Sequence, residues 1–178
     1  VLTNEKDILT YEKDFYQQLY TTTHREIHDD NLFFNNHNIP HLDRTEMEHC
    51  EAAITIEQCA KALKELPNDK SPGSDGFNTN FYKFFWSDIC DLVLDSFNYA
   101  YESGSLSIEQ RRGILTLIPK KDKDIRFLKH WRPISLLNTD YKILTKTLAH
   151  RLQYVLPSII NTDQVAYIKD RYIGQNIR

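Results

Sequence analysis

The chain has 178 residues, 40% of them hydrophobic, 12% aromatic and 26% charged, enough apolar content for one core or two small lobes and too much for a chain disordered throughout. No apolar run approaches the ~20 residues of a membrane-spanning helix, and the N-terminus lacks a charged-then-apolar signal pattern. Cys50, Cys59 and Cys90 are odd in number and scattered, which argues for reduced thiols, an intracellular setting and no disulfide framework. The net charge of −3 conceals a split. Residues 1–110 hold 8 Lys and Arg against 20 Asp and Glu, a net of −12, whereas residues 111–178 hold 14 against 5, a net of +9. A chain with an ordinary pI therefore carries one strongly basic segment, the electrostatic requirement for binding phosphate.

Residues 3–20 place Ile8, Leu9, Phe15, Tyr16, Leu19 and Tyr20 at spacings of three and four, which predicts an amphipathic helix. From Thr21 to about Glu51 the periodicity fades and Pro40 interrupts, so this stretch reads as mostly loop with a turn or two of helix. It holds His24, His28, His37, His41 and the pair His49-Cys50. Such residues are potential zinc ligands. Without paired cysteines or a hydrophobic framework around them, they read better as loop histidines.

Thr55-Ile56-Glu57-Gln58 is a capping box that opens a helix with Ile56, Cys59, Leu63 and Leu66 on its apolar face, closed by Pro67. The stretch Lys70-Ser71-Pro72-Gly73-Ser74-Asp75-Gly76-Phe77 follows. Pro72-Gly73 suits the centre of a type II turn and Asp75-Gly76 suggests a second. Consecutive turns leave backbone N–H groups that, with Lys70, would suit a phosphate; an ordinary helix connection explains the same residues.

Asn78 or Thr79 is expected to cap one long helix to about Glu102. Phe81, Phe85, Ile89, Leu92 and Ala100 make its apolar face, widened by Phe84, Trp86, Val93, Phe97 and Tyr101. Asp88, Asp91, Asp95 and Glu102 lie opposite and read as a solvated face rather than a metal site. Gly104 ends this helix.

The segment from Arg111 to Arg151 organises the chain. Ile114 to Ile118 is a β-branched and leucine run stopped by Pro119. Lys120, Lys121, Lys123, Arg126 and Lys129 follow, broken only by Asp122 and Asp124, and Trp131-Arg132-Pro133 returns the chain into Ile134-Ser135-Leu136-Leu137. The pattern predicts a β-hairpin with a long basic loop. Asp140 is expected to cap a helix with Ile143, Leu144, Leu148, Leu152 and Val155 inward and Lys142, Lys146, His150 and Arg151 away, stopped by Pro157. Residues 161–171 read as turns with a short extended piece. The chain opens on Val1, its sole methionine is Met47, and it ends at Arg178, so it is expected to be a piece of a longer protein.

Five blocks, taken in order over residues 55–178, resemble the reverse transcriptase of non-LTR retrotransposons, of the long interspersed element type. They are Lys70 to Phe77, Leu117-Ile118-Pro119-Lys120, Trp131-Arg132-Pro133-Ile134-Ser135-Leu136-Leu137-Asn138, Tyr141-Lys142-Ile143-Leu144, and Asp163-Gln164 with Arg171. The resemblance implies a helix-rich α+β fold: the fingers region of a right-hand polymerase, with a small antiparallel hairpin and without the palm. Residues 1–54 would be a linker or N-terminal extension, and 55–178 the N-terminal and fingers part of the polymerase domain. It further implies RNA-directed DNA polymerase activity in the parent, with an RNA template, a DNA primer, deoxynucleoside triphosphates and Mg²⁺ whose ligands lie outside this chain. Partners would be the palm, the thumb and an endonuclease of the same polyprotein, with no membrane, and the location a cytoplasmic ribonucleoprotein and the nucleus.

Residue by residue, the resemblance assigns Arg132 to the incoming triphosphate, helped by Lys120 and Lys121. A guanidinium fork matches phosphate oxygens bidentately, and Pro133 fixes the backbone beside it. Lys70, Ser71, Gly73, Lys123, Arg126, Gln164 and Arg171 would lie along nucleic acid. Ala166-Tyr167 and Asp170 depart from the family pattern, which favours glycine at Ala166 and before Arg171. The palm carboxylates that would hold two metal ions are absent, and Asp29-Asp30 lies in another context, so this chain alone is expected not to polymerise. The alternative reading is a non-catalytic nucleic-acid-binding relic of a truncated element.

Overall fold

The computed structural model describes residues 2–21 and 40–176. His24, His28, His37 and Asp29-Asp30 lie outside them. The fold is α+β and helix-rich, with one two-stranded antiparallel sheet. The chain divides into two compact units, Val1–Asn38 with Leu117–Ile134, and Ile39–Thr116 with Ser135–Arg178. Among the described residues no helix is long and apolar enough to cross a membrane.

In the first unit, α1 (Glu5–Tyr20) forms where the periodicity predicts it. Asn4 caps it by accepting a hydrogen bond from Lys6 N at 2.9 Å. Its Tyr16 is buried, edge-on to Phe15 at 5.1 Å between ring centroids.

The second unit is built around α3 (Ile56–Glu65), which packs against α4 (Thr79–Phe84), α5 (Trp86–Ser103) and α7 (Thr139–Ile159). The Thr55–Gln58 capping box forms as expected, and Cys59, Ala62 and Leu63 are buried. Their partners are Ile54, Tyr82, Phe97, Ile143 and Leu144, with Leu66, Phe81, Trp86, Ile89 and Val93 around them. Burying side chains of this size is worth roughly 1.5–3 kcal/mol each. Ile54, where the sequence reading draws a domain boundary, is itself in this core, and Asn98 brackets its backbone, accepting from Ile54 N at 3.1 Å and donating to Ile54 O at 3.3 Å.

The turn or two of helix expected in the stretch up to Glu51 is α2 (Arg44–Glu51), opened by a capping box between Asp43 and Glu46. Several expectations are corrected here. The long helix expected from Asn78 to Glu102 is two helices that meet at Phe85, whose φ of −96° and ψ of 12° leave the helical region. Both Asp88 N and Ile89 N donate to Phe85 O, at 2.9 and 3.2 Å. With aromatics at 81, 82, 84, 85 and 86, no helix can bury every ring: Phe81, Tyr82 and Trp86 reach the core, while Phe84 and Phe85 are left exposed. Leu92 and Tyr101, placed on the apolar face by periodicity, are also exposed, and the inward residues are Phe97 and Ala100. Asp88, Asp91, Asp95 and Glu102 are exposed as expected, and Gly104 closes α5 at φ 73° in the left-handed region.

Asn138, not Asp140, is the N-cap of α7, and its side chain makes no cap bond because it is used elsewhere. Pro157 does not stop α7. It removes one donor in the last turn, and the helix still closes with Ile160 N donating to Leu156 O at 2.9 Å. Leu148 and Leu152 are exposed; the buried stripe is Ile143, Thr147, Arg151 and Val155, each four residues on. Arg151, expected outside, is 4% exposed. Its guanidinium donates to the carbonyls of Cys50, Ala52 and Ala53 and to Gln58 Oε1, so it closes the end of α2 and the turn into α3. After α7 the chain makes turns rather than an extended piece.

Candidate nucleic-acid interface

The hairpin consists of β1 (Gly113–Pro119) and β2 (Trp131–Leu137), preceded by the one-turn α6 (Ile108–Arg111) with its own capping box from Ser107 to Gln110. Pairing continues past β1, with Lys120 N donating to His130 O at 2.8 Å. Between the strands, residues 120–130 would be a floppy connection if unsupported, since hairpin loops are usually two to five residues. This one is held by its own side chains. His130 Nδ1 is 2.8 Å from Asp124 O and must be the donor there, because a carbonyl only accepts. Trp131 Nε1 donates to Ile125 O at 2.8 Å, and Lys120 Nζ to Lys129 O at 2.8 Å. A short 3-10 turn at Leu128–His130 brings the chain back, with Phe127 N donating to Asp124 O and His130 N to Phe127 O.

Residues 120–132 hold six Lys and Arg and two Asp. Asp124 is spent on Arg126. Its carboxylate takes Nε and Nη2 in a fork, with Nη2 at 2.7 Å, and also accepts Arg126 N at 3.0 Å. The guanidinium bond, then the backbone N–H, hold the Asp124 carboxyl down to about 2 and raise the Arg126 pKa. The pair is exposed, so its worth is small. Lys121, Lys123, Lys129 and Arg132 are exposed and make no ion pair among the described residues. Lys129 Nζ lies 5.6 Å from the centre of the Phe127 ring, and Phe127 and Ile125 are themselves exposed. Charges interleaved with apolar side chains on a supported loop suit a ligand with phosphates and flat bases.

The Lys70–Phe77 stretch, which the sequence leaves open between a phosphate cradle and an ordinary helix connection, forms a turn packed against the end of β2. Its turn runs from Gly73 to Gly76, with Gly76 N donating to Gly73 O at 3.3 Å, and only Gly76 takes positive φ, at 78°. No type II turn is centred on Pro72-Gly73, since Gly73 does not have the positive φ it requires. Phe77 N donates to Asp75 Oδ1 at 3.0 Å, so at least two of the amides imagined around a phosphate are already engaged. Gly73 is buried against the hairpin's exit. A Cβ there would run into Asn138 Oδ1 and N and sit 2.6 Å from the Leu137 carbonyl carbon. Asn138 is 3% exposed, accepting from Ser74 Oγ at 3.3 Å and donating to Glu109 O at 3.1 Å. Thr139 Oγ1 donates to Phe77 O at 2.7 Å, and Lys142 Nζ to Ser71 O at 3.4 Å. Two blocks far apart in sequence thus meet as packing partners. Lys70 and Ser71 are exposed beside that seam.

Asp140, half-buried, Tyr82, buried, and the exposed Asp75 influence one another electrostatically. Burial pushes the Asp140 carboxyl up against hydrogen bonds from Gln110 and Tyr141 N, and Asp75 adds to the rise. Burial, then Asp140 and Asp75, push the Tyr82 hydroxyl well up. Gln164 is exposed, whereas Arg171 is half-buried and donates to the carbonyls of Ile160, Asn161 and Gln164. That guanidinium folds the turn after α7. Tyr167 and Asp170 take φ of 64°, so the positive φ falls on them and not on Ala166.

Sequence reasoning missed His130, Trp131 and Asp124 as the residues that shape the basic loop. The one signal for them is a donor-bearing indole and imidazole directly after a basic run. It missed Arg151 too, although its spacing of four from Thr147 and Val155 marks the buried stripe. His49, one of the residues weighed for zinc, packs on the Tyr154 ring at 4.7 Å. Among the described residues no three His, Cys, Asp or Glu converge. Among those residues a magnesium ion finds no set of three such donors.

No protein-family model matches the chain. An uncharacterized 149 kDa protein of transposon TX1 from Xenopus laevis is 38% identical to it over 139 residues, which cover 78% of this chain and 11% of that protein. The similarity supports a transposon origin for the chain.

Proposed function

We propose that, within a longer protein of transposon origin, this chain is the fingers part of a non-LTR retrotransposon reverse transcriptase that copies element RNA into DNA. The observation that carries the reading is the hairpin loop, with three exposed lysines, Lys121, Lys123 and Lys129, on a connection fastened by its own side chains. Arg132 sits on β2 just beyond those fastenings, exposed and without an ion pair among the described residues, and it serves the triphosphate of an incoming nucleotide. Lys121 and Lys120 add positive charge there, the latter through an ammonium already anchored to Lys129 O. Lys123 and Lys129 track the RNA template, and Lys70, Ser71 and Gln164 are further exposed contacts; Gly73, Arg126 and Arg171 act in the fold rather than at the ligand. The palm and thumb, an endonuclease, the DNA primer and the Mg²⁺ ions belong to the rest of that protein and its ribonucleoprotein, working in cytoplasm and nucleus.

The test is binding of a single-stranded RNA oligonucleotide by fluorescence anisotropy across a salt series. Three lysines on the template, Lys70, Lys123 and Lys129, predict that log K falls with log salt at a slope of about −2. A flat response, or no binding at low salt, overturns the reading.

A further inference from the structure

The hairpin loop owes its shape to three side chains on its two returning arms, and each grips a backbone carbonyl rather than another side chain. His130 Nδ1 holds Asp124 O, Trp131 Nε1 holds Ile125 O, and Lys120 Nζ holds Lys129 O, all at 2.8 Å. The first two grips fall on consecutive carbonyls at the far side of the loop, between Lys123 and Arg126. Trp131 and His130 are half-buried; the His130–Asp124 bond is partly shielded from competing water, whereas the Trp131–Ile125 bond is exposed. We infer that Trp131 and His130 are positioning residues for phosphate binding: they staple residues 121–129 into one conformation, so that Lys121, Lys123 and Lys129 meet the ligand already ordered.

The physical reason is entropic. Fixing a residue's backbone costs roughly 1–2 kcal/mol, and a loop of this length would spend that cost from its binding energy if ordered only by ligand. A loop already ordered in the free protein has met the cost during folding. Asp122, with φ of 57°, and the Asp124–Arg126 fork add local geometry, but neither crosses the loop. The inference rests on the nucleic-acid reading above for its ligand and makes a separate claim about how affinity arises.

The two contributions separate in a salt series. The slope of log K against log salt counts phosphates neutralised, whereas preorganisation shifts the whole line without tilting it. Trp131→Phe keeps an aromatic ring and removes the pyrrole half of the indole together with its donor. With single-stranded RNA as the probe, it is expected to weaken binding about fivefold to tenfold at every salt concentration, with the wild-type slope retained. Lys123→Ala, in contrast, should flatten the slope by about 0.7. Hydrogen exchange of amides 121–129 should speed up in Trp131→Phe while the rest of the chain exchanges as before. His130→Phe, which removes the neighbouring donor, should repeat the pattern should Trp131→Phe fold poorly. Unchanged affinity in both variants, or a changed slope, overturns the inference. If the wild-type chain binds no RNA, the function proposed above falls, and loop exchange alone decides the staple: exchange unaltered by both variants overturns it.

Discussion

Replacing Arg151 by methionine tests the claim that a buried cation, and not only apolar packing, joins α2 to the core. The guanidinium is 4% exposed and donates to Cys50 O at 3.2 Å, to Ala53 O and Gln58 Oε1 at 2.8 Å, and to Ala52 O. Hydrogen bonds to a charged group are worth about 1.5–3 kcal/mol each, and their plain sum would exceed the whole stability of many domains. Two terms reduce it. Arg151 has no carboxylate partner among these bonds, so its charge is desolvated at a cost that methionine removes, and its buried Nε has no hydrogen-bond partner at all. Methionine also fills much of the arginine's volume. The balance is a loss of about 3 kcal/mol, mostly from the carbonyls left without donors. Urea unfolding of the whole chain, followed by circular dichroism, reads it as a fall in the midpoint with an unchanged m-value. Arg151→Lys should recover only part of the loss, because one ammonium cannot span four acceptors. A loss below about 1 kcal/mol for Arg151→Met would refute the reasoning, since it would mean that solvent reaches those carbonyls.

Two further outcomes follow from the seam under the hairpin. Gly73→Ala should destabilise by about 1–3 kcal/mol or more, because the new methyl meets backbone atoms of Leu137 and Asn138 that cannot turn aside, whereas Gly76→Ala, at φ 78° with open space around it, should lose only about 1–2 kcal/mol; urea midpoints of the two variants check the order, and Gly76→Ala being the worse would contradict it. Burial holds the Asp140 carboxyl above its ordinary value when folded, so the folded state holds its proton more tightly and stability declines as pH rises from the unfolded pKa through the folded one. Asp140→Asn should therefore raise Tm at neutral pH, with the gain vanishing at pH below the ordinary carboxylate range; a variant less stable at neutral pH would refute the sign.

Much of the site was legible from the chain itself. Lys120 to Lys129 announce a basic loop, Ile114 to Ile118 and Pro119 fix where the first strand ends, and a capping box at Thr55 starts α3 where it is found. These depend on local chemistry: alternation, a missing amide on proline, a hydroxyl within reach of an amide three residues on. The Asp43–Glu46 box is equally local. The carbonyl grips of Trp131 and His130 cannot be read that way, because a backbone acceptor leaves no mark in the sequence.

The sequence by itself determined the helix-rich class, the hairpin and the position of its charges, since period and net charge are sums over neighbouring residues. Only the tertiary structure decided which charges remain for a ligand. Arg126, Arg151 and Arg171 read like Arg132 in one dimension, yet the first is forked onto Asp124 and the other two grip carbonyls that packing brings to them. Gly73 likewise looked like a turn glycine and proved to be a contact glycine, because the residue that excludes its Cβ, Asn138, lies far along the chain. A guanidinium or a missing methyl has no role until the fold supplies its neighbour, and that neighbour is set by burial of the core around α3.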